Sequence, residues 1–373
     1  MKILLIDTQQ QALVTLKSAF NENNDDITHV TNLSILQELL QKKRFDVVIT
    51  PSLLGKINGD SLLKTLAKNH PNMVRVQIIN HELYTKNYAH FNFSLPLNIA
   101  DIKSKLTQCQ THSKAITKNL IVKAVADIKT LPSPPKVYMQ LNSVLKEKNT
   151  DSKKIAEIIL QDPGLTAKVL HLANSTFMSN DKSITSINNA ITKMGVDTLS
   201  CIVMTAELFT YAPNIPGFSL VDQQLHSFAT AKLAASMVKP ELKQQTMIAG
   251  LLHAIGKVVL YEIKPELTEK FFKLMHPKED NKRLEQKVFG TDYCHVGGYL
   301  LHTWSFSYAL IEAIILQGSP EKLLKPPFGI AQAVYLANIL LKERKPDPAF
   351  IDYFKMEGVM EKLEERANKL RSI

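Results

Sequence analysis

Histidines in apolar surroundings are the side chains of this sequence that could do chemistry. His253 lies in the segment AGLLHAIGK (residues 249–257), where apolar residues surround the imidazole and Ala254 follows it. A neutral imidazole can bind a metal ion, but a hydrolytic site also needs carboxylate ligands, and an alanine offers no ligand atom. From the residues alone, a buried helix with one hydrogen-bonded histidine is the better interpretation of residues 249–260.

A second histidine pair and three cysteines are weaker candidates. His295 and His302 are seven residues apart, which places them on about the same face of a helix. They could be metal ligands, but a partly exposed pair is the favoured interpretation. The three cysteines are isolated and lack CxxC spacing, so neither a thiolate zinc site nor a disulfide framework is predicted.

The composition predicts a folded protein of the cytoplasm. The chain has 373 residues, of which 45% are hydrophobic and 21% charged, enough for two or three domains. Its start lacks the apolar stretch of a signal peptide, and no run approaches the roughly twenty apolar residues of a membrane span. The net charge of +10 could attract nucleic acid, but the lysines are spread among acidic residues, so nucleic-acid binding is not favoured.

The first hundred residues alternate short apolar runs with amphipathic stretches. The runs are residues 2–6, 45–50, 73–79 and 91–93, with a further run around Val30. This alternation predicts an α/β doubly wound domain, in which crossover helices join parallel strands. With DVVIT (46–50) followed by glycines 55 and 59, the region resembles the receiver domain of two-component response regulators, which has the flavodoxin-like strand order.

The resemblance places unreactive side chains at the positions of a receiver phosphorylation site. A receiver accepts phosphate on an Asp at the end of strand three, beside an Mg²⁺ held by acidic residues after strand one. Here Asp7 keeps one acid, whereas its partner position holds Thr8 and the acceptor position holds Pro51. The hydroxyl and lysine positions hold Ile79 and Leu95. The resemblance therefore implies a pseudo-receiver used for docking or self-association, with a plain structural domain as the alternative.

After about residue 110 the strand pattern disappears and helical patterns follow. Three distinctive segments are LPSPPKVYMQL (131–141), IILQDPGLTAKVLHLANSTF (158–177) and ITSINNAITKMGVDTLSCIVMTAEL (184–208). Over about residues 122–338 the chain resembles the HDOD domain, an HD-related, all-α helical output domain of bacterial signalling proteins. A receiver followed by an HDOD domain is a familiar order in such proteins.

These patterns together predict four regions. Residues 1–110 form the pseudo-receiver domain and residues 131–340 the HDOD helical domain. Residues 111–130 form a linker and connecting helix, because the sequence turns polar at QTHSK (110–114) before a helical pattern that runs towards Lys129. Residues 341–373 form a C-terminal helical extension, whose short apolar seam favours packing on the bundle over dimerisation.

The HDOD resemblance also assigns the positions of an HD-type metal site. His226 and His253 match the first and second histidines of its pattern, which has a further histidine at the position of Tyr293. Its other ligand positions hold Ala254, Tyr293, Gln317, Gly318 and Asn338. Two imidazoles without carboxylates do not hold a hydrolytic ion, so no metal, no cofactor and no catalysis are expected. The remaining cleft, with His226, His253 and Lys257, could instead bind a phosphate-bearing ligand such as a nucleotide.

Together the resemblances imply a bacterial signal-transduction regulator. We expect a non-catalytic pseudo-enzyme that binds signalling proteins, with a homodimer as one arrangement. The alternative is a metal-dependent phosphohydrolase or cyclic-dinucleotide phosphodiesterase of the HD superfamily, which the residues at the ligand positions oppose. A nucleic-acid regulator has only the net charge in its favour.

The first domain is expected to take up no phosphate, because Pro51 carries no nucleophile and Leu95 no ammonium group. Intact-mass spectrometry after incubation with acetyl phosphate and Mg²⁺ measures this directly. Beryllofluoride should cause no Mg²⁺-dependent change in NMR spectra. A phosphorylated protein would contradict the prediction.

Overall fold

The structure, a computed structural model, describes most of the chain. The described residues are 1–7, 16–17, 20, 25–79, 88–126, 136–145, 152–174, 184–208, 215–276 and 281–371. Contacts divide the chain into two compact units. The first is Met1–Asn119 with Gly298–Ile311, and the second is Leu120–Gly297 with Glu312–Ile373. A short segment from the helical half of the sequence therefore belongs to the first unit.

The first unit is built on a parallel sheet. The strands are β1 (Lys2–Ile6), β2 (Asp26–Val30), β3 (Val47–Pro51), β4 (Leu53–Leu54), β5 (Ile57–Asn58), β6 (Val74–Ile79) and β7 (Phe91–Ser94). Five of them form the parallel sheet in the order β2-β1-β3-β6-β7. This is the flavodoxin-like order, so the predicted doubly wound fold is confirmed. The antiparallel pair β4–β5 lies in the loop after β3 and was not predicted.

Three helices of the first unit are α1 (Leu36–Lys42), α2 (Gly59–Asn69) and α3 (Ile99–Ile116). The central strands are apolar without alternation, since the side chains from Ile3 to Ile6 are fully buried on both faces of the sheet. The first position of α2 needs a glycine, because a Cβ on Gly59 would lie 2.1 Å from Pro51 O.

Helix α3 corrects the predicted linker. The polar residues 110–114 continue the helix, which ends at Ile116, and α4 (Asn119–Ala126) starts after a short break. The helix has a buried apolar stripe at helical spacing, formed by Ile102, Leu106, Cys109 and Ile116. Because the stripe extends on both sides of the polar residues 110–114, the helix continues across them. The expected single helix from residue 114 towards 129 is therefore two helices, with residues 127–129 outside the described part of the chain.

Arg75 on β6 is fully buried in the first unit, and neutral acceptors surround its guanidinium. The acceptors are Tyr88 O at 2.9 Å, Met73 O at 3.0 Å, His302 O at 3.1 Å and Ser305 Oγ at 3.0 Å. Burial lowers the pKa of Arg75 to about 10. Two of these acceptors come from Gly298–Ile311, so this segment completes the hydrogen bonding of a buried cation.

The two histidines that spacing placed on one helix face have different environments. His295 is partly exposed, and its Nδ1 lies 2.8 Å from Asp292 Oδ1. His302, expected to be partly exposed, is buried and stacks on the His90 ring with centres 4.2 Å apart. Burial lowers the pKa of His302 to about 3. The sequence could not show this, because His90 lies 212 positions away.

The described elements of the second unit are helices, as the HDOD resemblance implies. After α4 they are α5 (Lys136–Leu145), α6 (Ser152–Leu160), α7 (Pro163–Asn174), α8 (Ile187–Leu208), α9 (Leu220–Ala235), α10 (Lys243–Leu252), α11 (Ile255–Ile263), α12 (Pro265–Leu274), α13 (Lys282–Phe289), α14 (Tyr293–Thr303), α15 (Tyr308–Leu316), α16 (Ile330–Leu341), α17 (Pro348–Phe354) and α18 (Glu357–Arg371). Helices α14 and α15 include residues of the segment Gly298–Ile311. No single described helix is long and apolar enough to cross a membrane, although the bent pair Pro240–Glu262 and Pro265–Leu274 passes jointly by length and composition.

Two glycines let helix backbones touch on either side of His253. A Cβ on Gly250 would lie 2.4 Å from Ala231 Cα on α9. A Cβ on Gly256 would lie 1.9 Å from Tyr293 O and 2.6 Å from the amide nitrogen of Gly297, both on α14. Because both neighbours are backbone atoms, no side-chain movement can make room, and the helices would have to separate.

Gly256→Ala is expected to lower the free energy of unfolding by about 3 kcal/mol, since overpacking against backbone displaces a whole helix. Gly358→Ala in α18 is the matched control, because a Cβ there meets no atom within 4 Å. The control should change stability by less than about 1 kcal/mol, towards greater stability. Urea unfolding of both variants measures the difference, and equal effects would contradict the close packing.

Candidate functional site

A cavity of about 770 Å³ opens in the second unit. Its lining includes five positions that the resemblance assigned to the metal site, together with Lys257 of the predicted ligand cleft. The five are His226, Tyr293, Gln317, Gly318 and Asn338. His253 and Ala254 are buried at 0% and 1% exposure, and the centre of the His253 ring lies 5.3 Å from that of His226. The fold thus brings together the positions that the resemblance had assigned to one site.

Helix ends and helix interiors both contribute to the site. His253 is the C-cap of α10 and Ala254 the N-cap of α11, so the two residues form the turn between these helices. Gln317 directly follows α15, whereas His226 and Asn338 lie within α9 and α16. Carbonyl groups at the end of a helix lack partners in their own helix. The carbonyl of His253 is therefore available to a side chain of the site.

A chain of side-chain hydrogen bonds connects the two histidines. Gln317 Nε2 donates to two backbone carbonyls, His253 O at 2.6 Å and Ile314 O at 3.1 Å. Since carbonyls only accept, Gln317 turns its Oε1 towards Asn338, whose Nδ2 donates to it at 3.4 Å. Asn338 Oδ1 then faces His226 Nε2 at 3.0 Å. We refer to His226, Asn338 and Gln317 as the amide relay.

The direction of the amide relay decides which nitrogen of His226 carries the proton. Because Asn338 Oδ1 accepts, His226 must donate from Nε2. The neighbouring His253 donates from Nδ1, which lies 2.7 Å from the carbonyl oxygen of Gly250. His253 Nε2 is then a buried lone pair that has no hydrogen-bond partner among the described residues.

Both imidazoles are held neutral. Burial lowers the pKa of His226 to about 3, and the positive charges of Lys342 and Lys257 lower it further than hydrogen bonding to Asn338 raises it. The pKa of His253 also lies well below its ordinary value, through burial first and then through repulsion by His226 and Lys342. A charged imidazole is therefore disfavoured at this site.

Lys257 lies in the cavity beside uncharged groups and beside the Glu285 carboxyl group, which attracts it. Its Nζ donates to Gln223 Oε1 at 3.0 Å and lies 5.2 Å from the centre of the Tyr293 ring. Burial lowers the pKa of Lys257. Tyr293, which occupies a histidine position in the HD pattern, thus offers a ring face to a cation instead of a ligand atom to a metal.

Glu285 is a site residue that the sequence analysis missed. It is buried on α13 and accepts hydrogen bonds from Tyr261 Oη at 3.0 Å and from the Tyr293 amide at 2.9 Å. Burial raises its pKa to about 7. In the sequence it stands among the basic and polar residues KRLEQK (282–287), a pattern typical of an exposed helix face. Nothing in that pattern indicates a buried carboxylate.

The donor set does not fit the hydrolytic metal ion that the HD relationship implies. Catalytic metal sites of this kind use three or more protein ligands. The described residues contain no group of three or more His, Cys, Asp and Glu side chains that could hold an ion. His226 Nε2 carries the proton that the amide relay uses, and Ala254 supplies no ligand atom. The positive charges of Lys257 and Lys342 act on the same imidazoles and oppose a further cation.

The positions of the receiver phosphorylation site lie at the carboxyl edge of the sheet in the first unit. Asp7 follows β1 and is buried, Pro51 ends β3 and Ile79 ends β6. Leu95 follows β7, is 40% exposed and precedes a cis-proline. Thr8 lies outside the described residues. The four described positions offer one carboxylate and no nucleophilic hydroxyl or ammonium group.

Acid is expected to destabilise the protein in part through His226. Its pKa is about 3 when folded and about 6.5 when unfolded, so the stability it provides is complete above pH 6.5 and is lost as the pH falls towards 3. At pH 5.0 the loss is about 2 kcal/mol. Glu285 acts in the opposite sense, because its folded pKa is raised.

Comparison with His226→Gln isolates this contribution, because Gln keeps an N–H donor for Asn338 but does not titrate. Urea unfolding at pH 7.5 and pH 5.0 should show the variant losing about 2 kcal/mol less than the unaltered protein. Equal pH dependence in the two proteins would contradict the assignment.

Comparisons with known proteins identify the family and the fold. A family model for the HDOD domain matches residues 131–320, about half of the chain. A structure from Marinobacter aquaeolei VT8 that is named for signal transduction shares 18% identity with a TM-score of 0.55, covering 87% of this chain and 75% of its own. An HDOD domain protein of unknown function from Geobacter sulfurreducens shares 21% identity with a TM-score of 0.51, covering 72% of this chain and 99% of its own.

A further solved structure overlaps the N-terminal part of the chain. The signal receiver domain of an HD domain-containing protein from Pseudomonas fluorescens Pf-5 shares 19% identity with a TM-score of 0.29, covering 31% of this chain and 97% of its own. No curated protein matched the chain. At such identities the solved structures indicate fold alone, and the family match decides the classification. The chain belongs to the HDOD family, with a receiver-like α/β domain preceding its HDOD domain.

Proposed function

We propose that the protein is a non-catalytic signalling regulator that works by binding. Its parts are a pseudo-receiver over residues 1–110, a connecting region over 111–130, an HDOD pseudo-enzyme over 131–340 and a helical extension over 341–373. The observation that carries the proposal is the amide relay. Asn338 and Gln317 bond to each other, to His226 and to backbone carbonyls, so neutral hydrogen bonds occupy positions where an HD hydrolase uses metal ligands.

The carboxyl edge of the receiver-like sheet supports the same conclusion. Pro51 at the end of β3 cannot accept a phosphoryl group, and the nearby Asp7 is only 1% exposed. A charge-driven switch of the kind that phosphorylation produces therefore has no exposed acceptor among the described positions of this edge. Binding of a partner protein, or of a second copy of this chain, is the remaining means by which this domain would signal.

The helical extension offers a route from a bound partner to the site. Helix α18 packs on α9 and α16, which carry His226 and Asn338. Leu363 and Ala367 form its buried face. A partner that moves α18 would act on the two helices that the amide relay joins.

The purified protein is expected to keep less than one metal ion per chain after a chelator wash, because the described residues contain no group of three or more side chains that could hold an ion. It should hydrolyse no phosphomonoester, nucleotide or cyclic dinucleotide when Mn²⁺, Fe²⁺ or Mg²⁺ is added. Elemental analysis and product chromatography measure these two outcomes.

Ala254→Asp is the informative variant, since it restores one carboxylate while the amide relay stays in place. It should remain inactive, because Tyr293, Gln317 and Asn338 still occupy ligand positions. Metal-dependent hydrolysis by the unaltered protein that disappears in His253→Ala would overturn the proposed function.

A further inference from the structure

The cavity of the second unit carries an excess of positive charge. Its lining includes five basic residues, Lys257, Lys282, Lys342, Arg344 and Lys345. Three acidic residues face them, Asp222, Glu285 and Asp347. A concave site lined mainly by one sign of charge concentrates ions of the opposite sign. The lining therefore favours an anion.

Two of the acidic residues, Asp347 and Glu285, accept hydrogen bonds from groups other than these cations, although Glu285 also attracts Lys257. Asp347 caps α17 by accepting from the Ala349 amide at 2.8 Å. Glu285 accepts from a tyrosine hydroxyl and a backbone amide, and burial raises its pKa to about 7, which reduces its negative charge at neutral pH. Arg344 Nε has no hydrogen-bond partner among the described residues. Lys257 donates a hydrogen bond to an uncharged acceptor, the side-chain amide oxygen of Gln223.

Several cations lie within electrostatic reach of one another. Burial is the main cause of the lowered pKa of Lys257. Attraction by Glu285 opposes this shift, and repulsion by Arg344 makes a smaller contribution that lowers the pKa. Lys342, the C-cap of α16, acts in the same way on His226. The segment that carries Lys342 and Arg344 is tied down by the Asp347 amide, which donates to Tyr335 Oη at 2.8 Å. Like charges held close in a fixed segment are relieved when an anion binds between them.

An aromatic wall adjoins the cations. Tyr261 lies one helical turn beyond Lys257 on α11. Its ring centre lies 5.4 Å from Phe218, 5.4 Å from Phe271 and 5.2 Å from Phe272, and all four rings line the cavity. Aromatic rings of this kind can stack on a planar base. The cavity volume of about 770 Å³ also falls in the range of small-molecule sites, roughly 300–1,000 Å³.

We propose that this cavity binds a nucleotide, with Lys257, Lys342 and Arg344 at the phosphate and the aromatic wall at the base. The inference rests on the proposed function and deepens it, since it names the class of ligand that a pseudo-enzyme cavity would sense. A bound phosphate would join α11 to the end of α16, next to the amide relay.

Isothermal titration calorimetry on the full chain tests the proposal, with AMP and GMP as probes. Adenosine supplies a base without phosphate, and ribose 5-phosphate supplies phosphate without a base. At least one of the two nucleotides should bind about tenfold or more tightly than either half, because both parts of the cavity then contribute. A rise in melting temperature on adding the nucleotide provides a second readout.

Variants locate the site. Arg344→Gln and Lys257→Gln should each weaken binding about tenfold, in keeping with the loss of one charge-assisted hydrogen bond. Phe272→Leu should weaken it about threefold, by removing a ring that stacks on the base. Lys239→Gln is the matched control, since it removes one exposed charge of the second unit outside the cavity lining, and it should leave the Kd within about twofold.

The possible outcomes separate this proposal from the function proposed above. If millimolar nucleotide gives neither a heat of binding nor a rise in melting temperature, the proposal that the cavity binds a nucleotide is wrong. Binding that is insensitive to Arg344→Gln and Lys257→Gln, or equal for AMP and ribose 5-phosphate, would overturn the site or the nucleotide class. Turnover of the nucleotide during titration would uphold the cavity while overturning the non-catalytic function.

Discussion

The arrangement of the second unit depends on two backbone carbonyls that can only accept. His253 O and Ile314 O both accept from the side-chain nitrogen of Gln317. The side-chain oxygen of Gln317 is then left to accept from Asn338, so every later hydrogen bond of the amide relay has only one possible direction. The end of α10, the end of α15, α16 and α9 are joined in this way. A buried polar group left without its partner costs about 1–3 kcal/mol, so the members of the relay depend on one another.

The segment AGLLHAIGK contains two glycines whose role is explained by helix packing. Gly250 brings α10 against α9, and Gly256 brings α11 against α14. These contacts clamp the turn at His253 from both sides. The two glycines would be needed with or without a bound metal. This sequence pattern therefore indicates close helix packing as much as it indicates metal chemistry.

The sequence was sufficient where a local pattern decides the structure. Apolar runs predicted the strands, and α7 begins at Pro163 with Asp162 Oδ1 accepting from the Leu165 amide at 2.9 Å, as residue types at a helix start suggest. The site positions came from family resemblance, and the cavity contains most of them. Contacts between residues that are distant in the chain could not be predicted from such local patterns. His226 and Asn338 are 112 positions apart, and the burial of Glu285 depends on tertiary contacts alone.

Arg75 bears on how such chains can be recombined. Its guanidinium is satisfied in part by the carbonyl of His302 and the hydroxyl of Ser305, which belong to the sequence range of the HDOD match. In a chimera whose N-terminal domain is replaced by a foreign receiver, these two acceptors would lose their donor. In an isolated N-terminal fragment, the Arg75 guanidinium would lose both acceptors. The two domains can therefore be recognised separately in the sequence, but neither can be exchanged without removing hydrogen-bond partners at Arg75.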